Sequence, residues 1–210
     1  MRAATIIKNA FVGADKAPLT RITRGVAIAL AVPLAIFQIW LSLYANVPPN
    51  ALGVAFLTPL YVIALLTTTG EAGKKAVNYW EYLLAVLTAS SGIYLLTQSE
   101  RLSGWILGLS QFTVSDILAG CILILVTFIL MKRCVGLGIT LVVSLLFAYT
   151  ALGHMIPGFL DHRKFELAEI VEQSIVSVNG GLFGTPITAA ATYVYLFVVF
   201  GKLLEISGGG

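Results

Sequence analysis

The chain has 210 residues, of which 58% are hydrophobic and 11% charged, with a formal net charge of +3. Soluble domains carry roughly 25% charged residues, so this balance leaves too little polar surface for a soluble globular protein. The basic residues are dispersed over short links instead of forming a face with interleaved aromatics, which excludes a nucleic-acid footprint.

The tail, residues 1–21, holds Arg2, Lys8, Lys16 and Arg21 against a lone Asp15. Six apolar spans follow, running from about Ile22 to Tyr44, Ala51 to Thr69, Trp80 to Thr97, Phe112 to Met131, Cys134 to Gly153 and Pro186 to Ile206. A bilayer core of about 30 Å needs around 20 helical residues, so each span is long enough or nearly so. Alternating ten-residue strands are absent, which argues against a closed barrel. The expected fold is therefore all-α: a polytopic helical integral membrane protein with about six transmembrane helices. The first span is too long for a signal-peptide core, and Asn46-Val47-Pro48-Pro49 offers no small-x-small cleavage site.

Charge in the links sets the orientation. The tail with Arg24, the second link with Lys74 and Lys75, and the fourth with Lys132 and Arg133 hold nine of the thirteen basic residues. Lys202 near the end of the sixth span falls on the same side. The first link is uncharged, and the fifth, with Asp161, Arg163, Lys164, Glu166, Glu169 and Glu172, is net acidic. Lys/Arg excess marks cytoplasmic links, so the N-terminus is expected in the cytoplasm.

In the fifth link, Leu167, Ile170, Val171, Ile175 and Val178 recur on one helical face with Ser174, opposite Glu166, Glu169, Glu172 and Gln173. The stripe predicts an amphipathic helix between the fifth and sixth spans. It fits a helix lying in the membrane interface or one packed on a moving domain. Asn179-Gly180-Gly181-Leu182-Phe183-Gly184-Thr185-Pro186 comes next and cannot continue a regular helix. It reads either as a C-cap and turn or as a re-entrant break on a substrate path, since non-helical backbone at membrane depth must be satisfied by protein or a water-filled cavity. On the second reading Asn179, Gly181, Gly184, Thr185, Pro186 and Thr188 line a substrate or ion path. The small residues Thr188 to Thr192 place the start of the sixth span against protein.

No catalytic constellation is visible, and no enzyme activity is expected. His154 and His162 are too far apart for a helical metal pair, Cys121 and Cys134 are isolated thiols, and there is no Walker A sequence. No metal site is expected. Asp116 and Glu81, at span boundaries, could face a cavity, but such acids are more often solvated, and no buried charged pair is expected.

Several pieces then carry a resemblance. Tyr149 and Gly153 precede Pro157-Gly158 and His162-Arg163. Gly181-Leu182-Phe183-Gly184 with Pro186 follows, then Phe197-Val198-Val199-Phe200-Gly201 with Leu204-Glu205 and Ser207-Gly208. Upstream stand Tyr79 to Ala85, Tyr94 and the doubly basic Lys132-Arg133 before Val135-Gly136. In this order and spacing the chain resembles the fused permease of tripartite ATP-independent periplasmic (TRAP) transporters, of the TAXI type. It departs from the family pattern at Gly180, Ile129 and Lys132.

The resemblance implies the N-terminal portion of a longer permease, with residues 22–133 as a four-span domain and 134–210 as the start of the transport domain. It implies import of an organic acid across a bacterial or archaeal cytoplasmic membrane, with a sodium ion as coupling ion, no other cofactor, and a periplasmic substrate-binding protein as partner. His162, Arg163, Glu166 and Glu169 would then lie on the link facing that protein. The alternative is a structural or assembly membrane protein without transport activity.

Overall fold

The computed structural model describes residues 21–44, 47–67, 79–104, 112–156, 162–177 and 181–207. Every regular element among them is helical. The basic tail before Arg21, the Lys74–Lys75 pair, Asn179 and Gly180 lie outside the described residues.

Helix α1 spans Arg21–Tyr44 and α2 spans Pro49–Thr67. Each runs through an internal proline, Pro33 and Pro59. Helix α3 spans Tyr79–Thr97, the short α4 Ser99–Ser103 and α5 Val114–Cys134. Gly136, at φ 105°, turns the chain directly into α6, Leu137–Leu152. That left-handed conformation suits glycine, which has no Cβ to clash. A 3₁₀ turn, Gly153–Met155, extends α6, and α7 covers Leu167–Val176. The last helix starts as α8, Thr185–Ala189, passes through a π turn at Ala190–Val194 and continues as α9, Tyr195–Ile206.

Four helical stretches are long and apolar enough to cross a membrane: Pro49–Thr67, Val114–Cys134, Leu137–Met155 and Thr185–Glu205. They fall on the second, fourth, fifth and sixth predicted spans. Helices α1 and α3 lie on the other two.

Packing divides the helices into two groups. Helices α2, α3 and α5 share a core along their length. Leu65, Leu66, Ala85, Val126 and Leu130 fill one end, and Val54, Leu57, Leu95, Leu102, Ala119 and Leu123 fill the other. Gly92 of α3 lies so close to Thr58 of α2 that a Cβ there would overlap the threonine side chain. By contrast, α6 buries no residue and leaves Leu141, Val142, Leu145 and Leu146 exposed. The last helix likewise exposes Tyr193, Phe197, Val198 and Phe200.

The amphipathic stripe does form a helix, but its burial differs from the pattern. Ile170, Val171 and Ile175 are buried as expected, whereas Leu167 is 63% exposed and Glu172, expected on the polar side, is buried. The cause is where α7 docks. Its last two turns wedge against α5, with Val171 seated over Gly120, while the first turn projects past the contact.

Candidate functional site

Gly181-Leu182-Phe183-Gly184 lies inside the protein. Phe183 is buried in the core shared by α2, α5 and α7, and its backbone and Cβ abut Gly53 on the second turn of α2. The backbone amides find partners locally. Gly181 N–H donates to Ser177 O at 2.8 Å, Leu182 N–H to Ser174 O, and Gly184 N–H to Gly181 O at 2.9 Å. The last turn of α7 thereby supplies acceptors to a segment with no helical ladder of its own, as burial of irregular backbone requires. Gly184 O then accepts from Ile187 N and Thr188 N, both at 3.1 Å, and opens α8. Gly181 and Gly184 are buried, Thr188 is half-buried, and Thr185 and Pro186 are exposed. Pro186 sits in the first turn of the helix, where its missing N–H costs nothing.

The expected burial of the small residues centres on Ala191, which is fully buried, while Thr188, Ala190 and Thr192 are half-buried and Ala189 is exposed. Ala191 packs with Leu41, Leu52 and Phe56, tying the last helix to α1 and α2. There the structure adds a residue that the sequence reading passes over. Gln38 of α1 is 0% exposed and donates from Nε2 to Ala191 O at 2.9 Å.

The second candidate set sits at the other end of α7. His162 lies over Gly153, with Nε2 3.0 Å from Tyr149 O and Nδ1 2.7 Å from Arg163 O. It fixes the start of this segment to the end of α6. Arg163 stacks on Phe165, with its guanidinium carbon 4.7 Å from the ring centroid, and pairs with Glu169 at 3.4 Å. Glu169 also accepts from Glu166 N–H at 3.1 Å, closing the first turn of α7. Of this set, Arg163 and Glu166 present exposed side chains, and His162 is turned inward. The structure does not bring the two sets into one pocket. The ten residues of α7, about 15 Å of helix, lie between them.

Asp116 and Glu81 are not solvated, contrary to the expectation for acids at span boundaries. Asp116 is 0% exposed. It accepts from Arg101 Nη2 at 2.6 and 2.7 Å, from Tyr94 Oη at 2.9 Å and from Thr113 N–H at 2.9 Å. Glu81, also buried, pairs with Arg133 at 3.1 Å. Among the described residues, two buried acids are thus each paired with a basic side chain, Arg133 being half-buried and Arg101 partly at the surface. Each pair joins the α3 side of the bundle to α5, one at each end, because the two helices run antiparallel. A charge that cannot reach water needs an opposite charge beside it, and here each acid has one.

Among the described residues, no three His, Cys, Asp or Glu side chains come together as a metal site. Cys121 is half-buried and Cys134 exposed, and neither is in a disulfide. Comparison of the chain with protein-family models, with curated proteins and with solved structures finds no match.

Proposed function

We propose that the chain is a membrane-embedded part of a secondary transporter permease that imports an organic acid. On this reading α1 and α3 cross the bilayer along with the four longer apolar stretches. The N-terminus is cytoplasmic, and the membrane is a bacterial or archaeal cytoplasmic membrane. The resemblance to the TRAP fused permease of TAXI type supplies the substrate class, the sodium gradient and the periplasmic binding protein.

The observation that carries the proposal is the buried break at 181–184. Irregular backbone packed inside a helical bundle, directly before an apolar helix, is the arrangement from which discontinuous helices of secondary transporters are built. The two packing groups support it as well. A clamped α2–α3–α5 bundle suits a scaffold, and the bare faces of α6 and the last helix suit elements that pack elsewhere. Arg163 and Glu166, exposed ahead of α7, then face the binding protein, and α7 links that face to the break.

The test is uptake of radiolabelled carboxylic acids into proteoliposomes, using this chain and, if its reading frame continues past Gly210, the extended protein. The expected result is uptake by the extended protein that needs both a sodium gradient and the binding protein. Absence of uptake in every combination would leave the structural or assembly role in its place.

A further inference from the structure

The last helix carries one residue more than an α-helical ladder can serve. At Ala190–Val194 it widens into a π turn, in which Tyr195 N–H bonds to Ala190 O. Such single turns act as an inserted residue, and they leave a backbone carbonyl without its usual donor. One side chain from outside the helix supplies a donor at this point: Gln38 Nε2 reaches across from α1 to Ala191 O at 2.9 Å.

Gln38 is an expensive residue to keep there. It is fully buried, and among the described residues its Oε1 has no hydrogen-bond partner. An unsatisfied buried amide oxygen costs about 1–3 kcal/mol. Among the described residues, the one bond that the side chain makes is to the π turn.

The turn also lies on a mechanical boundary. Before it the chain is held fast, with Phe183 buried and Ile187 packed on the core, and within it Ala191 is fully buried. At Tyr195 the ring still meets Phe56 edge-on, with centroids 5.4 Å apart. Beyond that, Phe197, Val198, Phe200 and Leu203 are all exposed, and nothing lies within 4 Å of where a Cβ on Gly201 would be.

We infer that Gln38 is a register latch: its hydrogen bond to Ala191 O holds the π turn open and so fixes the rotational setting of α9 relative to α1 and α2. When the bond is released, the extra residue is absorbed into a regular α-helix. The helix beyond then turns by about 100° and moves by about 1.5 Å along its axis. The last helix thus has two settings, and the amide of one residue on α1 selects between them. The latch rests on this geometry alone and does not depend on what the protein transports.

The experiment uses the full chain in nanodiscs, with Cys121 and Cys134 replaced by serine. One spin label goes at Thr67→Cys on α2 and a second at either Phe200→Cys or Leu203→Cys, with distances read by pulsed electron paramagnetic resonance. Gln38→Leu keeps the side-chain volume and removes the donor. It should change the two distances unequally, by up to roughly the 10–12 Å helix diameter, as rotation of α9 requires. Deleting Ala190 in the Gln38→Leu background removes the inserted residue and should return both distances to their original values. Unchanged distances in Gln38→Leu would overturn the latch. So would a change that the deletion fails to reverse, since simple loosening of the helix is not repaired by removing a residue.

Discussion

Asp116 illustrates what a buried charge needs in this chain. Its two oxygens receive four hydrogen bonds, from Arg101 twice, Tyr94 and Thr113. One of those donors is the free N–H that precedes α5, so the carboxylate both caps the helix and neutralises Arg101. Asp116→Ala should lower stability by about 2–3 kcal/mol in thermal unfolding in detergent. That is less than the ~3–5 kcal/mol of a wholly buried pair, because part of Arg101 remains at the surface. The Arg101→Ala/Asp116→Ala double variant should lose less than the sum of the two single losses, and strict additivity would show that the pair is not coupled. Tyr94→Phe removes one donor of four, so its expected cost is smaller, about 1 kcal/mol in the same assay. Neither the burial of Asp116 nor its partners is legible in the sequence. An acid next to a link looks alike whether it faces water or a neighbouring helix.

At the scale of elements, two contacts hold the bundle in register. Glu81–Arg133 fastens the start of α3 to the end of α5, opposite the Arg101–Asp116 pair. Charge reversal at one partner, Glu81→Arg, should destabilise the protein strongly, and adding Arg133→Glu should recover part of the loss in the melting temperature. Helix α7 is seated by shape. A Cβ at Gly120 would overlap Val171 Cγ1, so Gly120→Ala should cost about 1–3 kcal/mol by overpacking. Shortening the opposing side chain with Val171→Ala should restore much of that stability, measured by the same melts.

The apolar runs locate the long helices to within a few residues, because helix length and hydrophobicity are local properties. The amphipathic stripe likewise locates α7, although its exact buried face depends on which turns α5 covers. Tertiary partners are not local. Gln38 bonds to a carbonyl 153 positions away, and no spacing rule connects the two. The glycine-rich break was legible as a break. That it is buried against Gly53 required the fold.

For the whole molecule, the proposed threading makes a prediction that the packing alone does not test. The two ion pairs lie at opposite ends of antiparallel α3 and α5, where the links that carry charge would meet the two membrane surfaces. The helices with bare apolar faces, α6 and α9, are those whose surroundings would be lipid or further helices. The transporter reading depends on the chain crossing the bilayer six times with its N-terminus in the cytoplasm. Substituted-cysteine labelling in cells, with Cys121 and Cys134 replaced, tests that threading directly. Cysteines at Asn50, Glu100 and Glu166 should react with a membrane-impermeant maleimide from outside, and cysteines at Lys132 and Lys202 only after the membrane is permeabilised. Labelling of Lys132→Cys and Glu100→Cys from the same side would contradict the account, because α5 would then not cross the membrane.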